Sequence, residues 1–162
     1  MHVGIGSNLG DRVANVERAL AALRELAVAG ELARSPLYES APMGPSDQPD
    51  YVNGVCAFET EHAPGELLVE LQRIEREAGR VRPAPRWSAR TLDLDLLLYG
   101  TRTLEEPGLT VPHPGIAERA FVLRPLADLD ATLEIPELGT VGALLEALER
   151  REGVTLRPLA RR

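Results

Sequence analysis

The segment TLDLDLLLY, residues 91–99, limits what this chain can fold into more than any other. Along a strand, residues i and i+2 point to the same face. Leu92, Leu94, Leu96 and Leu98 should therefore pack on one side, while Asp93 and Asp95 project together from the other. A strand this apolar is expected at the centre of a sheet, not at its edge. A solvated sheet face with two ordinary acids would give the same D-x-D pattern. Here, however, two like charges sit on neighbouring same-face positions, and keeping both ionised at a partly enclosed site requires cations nearby.

The flanking patterns place this strand in an alternating order. HVGIGS reads as a buried strand that runs into a Gly-rich turn, and Asp11 is placed to cap a helix over 12–27. Val13, Val16, Leu20 and Leu23 recur along it at helical spacing. A strand is expected over 31–39. The proline-rich stretch from Ser40 to Asp50 reads as an ordered loop, and YVNGVCAFET as a strand. PGELLVELQRIEREAG is a helix with Leu67, Leu68, Leu71 and Ile74 on one face and Gly79 as its stop. RVRPAPRWSAR, short of core residues, reads as a mobile loop. Beyond residue 100 the reading expects a helix near 115–120, a helix over 141–150 and a last strand near 154–159. The order β-α-β-β-α-β with C-terminal additions predicts an α+β fold. It would be a ferredoxin-like sandwich, a mainly antiparallel sheet with helices packed on it, in one domain over 1–162.

Composition narrows the functional classes. The net charge is −7, and all 18 basic residues are Arg, none Lys. The acidic balance argues against non-specific binding to nucleic acid or membrane. A Walker-type phosphate loop needs its Lys, so any phosphate chemistry falls to Arg, which pairs with phosphate through a planar fork. No run approaches the roughly 20 apolar residues of a membrane helix. The N-terminus lacks the basic start and cleavage site of a secretory signal. Cys56 is the single cysteine, so no internal disulfide can form, which fits a cytoplasmic protein.

Two cation sources could serve the paired aspartates. One is the cluster Arg80, Arg82, Arg86 and Arg90; the other is a hard divalent metal. Mg²⁺ is commonly held by one or two carboxylates, with water and substrate phosphates completing its shell. A carboxylate pair beside an Arg-rich loop is what a polyphosphate–Mg²⁺ complex requires. Tyr51 and Asn53 alternate onto one strand face after the proline-rich loop, and an aromatic plate with an amide suits a flat heterocycle. Trp87 sits in a polar loop where a core role is awkward, and His113 lies between two prolines with no second His or Cys at zinc spacing. The GIGSNLG turn resembles a dinucleotide fingerprint, but the second strand leads to a third strand, not to a crossover helix.

The stretches GIGSNLGD, PMGPSDQPDYVNGV, RWSARTLDLDLLLYG and LTVPHPGIAERAFVLRPL together resemble the 6-hydroxymethyl-7,8-dihydropterin pyrophosphokinase family of the folate pathway. The resemblance covers nearly the whole chain and fades after about residue 130. It implies an ATP- and Mg²⁺-dependent enzyme that transfers the β,γ-diphosphate of ATP to the hydroxymethyl oxygen of the reduced pterin and releases AMP. It implies two Mg²⁺ ions held by Asp93 and Asp95. A pterin pocket follows from Ser40, Pro42, Met43, Tyr51, Asn53 and Phe121, with Trp87 closing the site. ATP contacts follow at Gln72, Glu75, Arg80, Arg82, Trp87, Arg90, Leu96, His113 and Arg119, with Arg82, Arg90 and Asp95 as the catalytic set. A monomer without nucleic-acid or membrane partners is expected. The chain departs from the family pattern at Ala41, inside SAP, and at Pro114, where an aromatic is common. Two rivals predict differently: a ligand-binding module gives the paired aspartates no purpose, and a two-metal nuclease wants further clustered acids and a basic groove.

Overall fold

The computed structural model describes residues 1–81, 88–153, 156, 158 and 159. Arg82, Arg86 and Trp87 lie outside the described residues, so the roles expected of them have no structural counterpart here.

Strand β1 (His2–Ser7) leads through a turn into helix α1 (Arg12–Glu25), where Asp11 Oδ1 accepts the Ala14 N–H at 3.0 Å and closes the first turn. The buried stripe is Val16, Ala19, Leu20 and Leu23; Val13, expected on it, is 45% exposed. The strand predicted over 31–39 is two short ones, β2 (Leu32–Arg34) and β3 (Tyr38–Ser40). Pro36 has no N–H for a ladder. Ser35 bridges the break: its N–H donates to the Val55 carbonyl at 2.9 Å and its Oγ accepts the Val55 N–H at 3.0 Å. Both short strands pair with β4 (Tyr51–Phe58).

Helix α2 (Pro64–Glu77) begins with Pro64 in its first turn, while Glu66 Oε2 accepts the Ala63 N–H at 2.9 Å. It stops at Gly79, whose φ of +88° only glycine adopts without strain. The next described strand is β5 (Asp93–Leu98). The antiparallel order is β2-β4-β1-β5, with β3 also on β4, as two interlocked β-α-β units would give.

The central strand is thus β1, and β5 lies at the edge, contrary to expectation. Its apolarity has another cause, because its outer side is covered. Helix α2 packs there, with buried Glu75 accepting the Leu94 N–H at 2.8 Å. The hairpin of β6 (Leu104–Glu106) and β7 (Leu109–Val111) adds further cover through β7.

One core holds Leu92, Leu94 and Leu96 against α1 and α2. Leu98, expected with them, joins the opposite core. The pairing Val3↔Leu96 is followed by His2↔Leu98, so Leu97 is an extra residue that breaks the alternation.

That second core is built on elements the sequence reading only partly contained. A 3₁₀ turn at Ile116–Glu118 stands where a helix was expected near 115–120. Helix α3 (Ala120–Asp130) follows, which was not among the elements expected from sequence; it holds Pro125, and Val122, Leu123 and Leu126 form its buried stripe. A small hairpin, β8 (Glu134–Ile135) with β9 (Gly139–Thr140), leads into α4 (Val141–Glu152). Helices α3 and α4 cover part of the sheet face opposite α1 and α2. Of the last strand expected over 154–159, the described residues show Pro158 bridged to Tyr38 and the Leu159 N–H on the Leu37 carbonyl at 2.7 Å.

Candidate active site

The uncovered part of that second face is a pocket floored by β4, β1 and β5. Register places Asn53, Gly6 and Asp93 in one row across β4, β1 and β5, and Val55, Gly4 and Asp95 in the next. The two glycines leave the centre of the floor flat. A Cβ on Gly6 would stand 3.3 Å from Asn53 Oδ1 and 3.5 Å from the Tyr51 ring. The GIGS glycines that resembled a dinucleotide turn are thus the floor of a cleft.

On one side of the floor, Ser40, Pro42, Met43, Tyr51, Asn53 and Phe121 all line this pocket. Asn53 is 5% exposed and donates from Nδ2 to Ser40 Oγ at 2.8 Å, an arrangement that orients its amide. The proline-rich loop is tied down at its neck. Asn8 Nδ2 donates to Gln48 Oε1 and to the Pro49 carbonyl, both at 3.2 Å, and Arg12 donates to the Asp50 carbonyl at 2.7 Å and to Glu39 at 2.8 Å. Asn8 also exchanges two hydrogen bonds with Arg90: its Oδ1 accepts the Arg90 N–H at 2.7 Å and its own N–H donates to the Arg90 carbonyl at 3.0 Å. Sequence reasoning missed Asn8. Its only signal was a polar pair, Ser7 and Asn8, directly after an apolar strand.

On the other side stand Asp93 and Asp95, both facing the pocket as their spacing predicted. Asp93 Oδ1 accepts from Arg90 at 2.8 Å and also from Arg80, which bonds Glu75 as well. Asp95 has Arg119 at 3.7 Å and His113 Nε2 at 3.9 Å from its Oδ2. Its carboxyl is pushed up to about 6, first by burial and then by the Asp93 charge, against the pull of Arg119, Arg90 and Arg80.

His113 is positioned by the extra residue of β5, since its N–H donates to the Leu97 carbonyl at 2.9 Å. Its Nδ1 accepts the Gly115 N–H at 3.1 Å, which leaves the ring proton on Nε2, toward Asp95. Burial, and then the Arg119 charge, push the imidazole down to about 4, so the ring is a neutral N–H donor at pH 7. Gly115, also missed, lets Arg119 lie close: a Cβ there would meet the guanidinium at 2.7 Å.

Gln72, Glu75, Arg80 and Leu96 stand apart from the pocket lining, on the side where α2 covers β5. The Leu96 side chain is in the core. Because the Leu94 N–H points outward to Glu75, alternation turns the Leu96 N–H and C=O outward too. Leu96 can therefore offer a ligand its backbone but not its side chain.

Among the described residues, no group of three or more His, Cys, Asp or Glu forms a ready-made metal site. The all-oxygen pair Asp93 and Asp95 fits a hard divalent ion that completes its shell with water and phosphate. No described helix is long and apolar enough to cross a membrane.

Fold and site together define an α+β protein whose antiparallel sheet presents a cleft beside an acid–arginine cluster. The profile of the 7,8-dihydro-6-hydroxymethylpterin-pyrophosphokinase family matches residues 2–131. The chain is 48% identical over 158 residues to the 2-amino-4-hydroxy-6-hydroxymethyldihydropteridine pyrophosphokinase of Pseudomonas aeruginosa, covering 94% of this chain and 97% of that one. It is 42% identical to the Haemophilus influenzae protein of the same name, over 97% and 98% of the two chains. The solved wild-type Plasmodium falciparum HPPK-DHPS shares the fold at a TM-score of 0.64 and 13% identity, covering 94% of this chain and 42% of that longer one. The chain belongs to the 7,8-dihydro-6-hydroxymethylpterin-pyrophosphokinase family.

Proposed function

We propose that the pocket binds reduced pterin and MgATP side by side and that Asp93 and Asp95 hold two divalent ions between them. Family membership carries the reaction: pyrophosphoryl transfer from ATP to 6-hydroxymethyl-7,8-dihydropterin in folate synthesis. The observation that supports the site assignment is the shared floor, which sets two carboxylates two strands from Asn53 and Tyr51 in one cleft.

In this reading the pterin ring lies against Tyr51 and Phe121, and its polar edge meets the Asn53 amide that Ser40 orients. Bound magnesium supplies charge neutralisation on the phosphates and acidity at the attacking hydroxyl. Asp93 and Asp95 fix its position because a paired strand is a stiffer mount than a loop. Arg80, Arg90 and Arg119 present guanidinium forks to the phosphate oxygens, where negative charge develops in the transition state. His113 donates its Nε2–H to the same oxygens. Arg82 and Trp87 complete the phosphate and ring contacts in this reading. Gln72 and the outward backbone of Leu96 would meet the nucleotide base along the α2 side.

Incubation with ATP, Mg²⁺ and hydroxymethyldihydropterin tests the reading. AMP and a diphosphorylated pterin should appear in equal amounts. ADP in place of AMP, or no nucleotide turnover, would overturn it.

A further inference from the structure

The two carboxylates proposed as metal ligands differ in what surrounds them. Among the described residues, two guanidinium groups converge on Asp93 Oδ1, that of Arg90 at 2.8 Å and that of Arg80. Arg80 is only 11% exposed and is shared with Glu75, which is 1% exposed. The groups nearest to Asp95 among the described residues are the Arg119 guanidinium at 3.7 Å and the neutral His113 ring at 3.9 Å, both beyond hydrogen-bond reach, and the Asp95 side chain is 37% exposed.

A carboxylate oxygen that accepts from two guanidinium groups is a poor ligand for a divalent ion. Its charge is already compensated, and an incoming cation is repelled by two positive charges a few ångströms away. The arginines cannot simply leave, because Arg80 is nearly enclosed and unpaired buried charge is costly. Displacing both requires other anionic oxygens in the same place. A polyphosphate supplies them in the planar geometry that guanidinium forks match. Glu75 also keeps hold of Arg80 throughout, so Arg80 can change partners without leaving the site.

We propose that Arg80 and Arg90 compete with divalent cations for Asp93, and that a nucleotide's phosphates draw them off so that cation and nucleotide load together. The proposal rests on the reading of Asp93 and Asp95 as metal ligands. It assigns the two arginines a role before chemistry, as a barrier to cation binding without phosphate.

The test is Mn²⁺ affinity, read from the free-ion electron paramagnetic resonance signal with and without a non-hydrolysable ATP analogue. Without nucleotide, Arg90→Ala and Arg80→Ala should each bind Mn²⁺ about ten-fold or more tightly than wild type. With the analogue present this advantage should disappear, the variants binding Mn²⁺ no better than wild type, because the same arginines now hold the phosphates. Arg90→Ala is the cleaner variant, since it leaves the Arg80–Glu75 pair in place. Unchanged or weaker nucleotide-free affinity in Arg90→Ala would overturn the proposal. Asp93→Asn and Asp95→Asn in the analogue complex isolate the underlying reading. If they lose Mn²⁺ while the arginine variants bind it like wild type without nucleotide, only the competition fails; if they keep it, the metal reading itself fails.

Discussion

The two faces of β5 are built from alternate residues of one strand and do opposite things. Toward α1 and α2, Leu92, Leu94 and Leu96 are each no more than 5% exposed and lie inside a continuous apolar core. Toward the pocket, Asp93 and Asp95 face a floor of glycines, and burial and the neighbouring Asp93 charge act against the ionisation of Asp95. One face stores stability and the other consumes some of it to hold charges where a substrate can use them. Because the residues alternate, the leucines that anchor the strand also fix the aspartates, which explains how the site can be rigid while it holds a disfavoured charge.

The largest test of this division is Asp95→Ala. Turnover should fall on the order of 10³-fold, roughly 4 kcal/mol in barrier, while the thermal midpoint holds or rises. Retention of more than about a tenth of wild-type turnover, about 1.4 kcal/mol, would remove Asp95 from the chemistry. Next comes Leu94→Ala on the opposite face, which should lose about 2–5 kcal/mol of stability in urea titrations with turnover per folded molecule preserved. Loss of activity without loss of stability there would erase the distinction between the faces.

Gly6→Ala probes the floor between them. Its added methyl stands 3.3 Å from Asn53 Oδ1, so the pterin KM should rise about ten-fold, since small misplacements of binding groups carry large penalties. A change confined to the nucleotide KM would assign the floor to the wrong substrate.

The smallest effect is the pH dependence of Asp95→Asn stability, measured by melting in chelator. The Asp95 carboxyl titrates at about 6 in the fold against an ordinary 3.8. Above pH 6 both states are ionised and the folded wild type carries the whole penalty; below 3.8 both are protonated and it carries none. The variant should therefore melt higher at pH 8 and equally at pH 3.5. Discounted for a side chain more than a third open, the gain is on the order of 1 kcal/mol, or about 2–4 °C. A variant that melts lower at pH 8 would show that the ionised carboxylate supports the fold.

Much of the site was legible because its logic is local. The i, i+2 spacing put Asp93 and Asp95 on one face, and alternation did the same for Tyr51 and Asn53; no tertiary information was needed for either pair. Asn8 and Gly115 were illegible for the complementary reason. Asn8 matters through partners 40 and 82 residues away, at Gln48 and Arg90. Gly115 matters because of where the Arg119 side chain comes to rest. The edge position of β5 was misread because burial by a covering helix and burial within a sheet leave the same apolar signature in sequence.

What the sequence determined by itself was the set of elements with clear periodicity, the facing of strand residues as far as the Leu97 bulge and the pairing of two acids with an arginine-rich neighbour. These follow from backbone geometry, which repeats every two or every 3.6 residues whatever the rest of the chain does. What only the tertiary structure decided was the strand order, the helix around Pro125, the extra residue at Leu97 that brings His113 to Asp95, and the capture of Asp93 by Arg80 and Arg90. Each of these depends on which distant groups meet, and packing and long-range charge settle that only when the whole chain is in place.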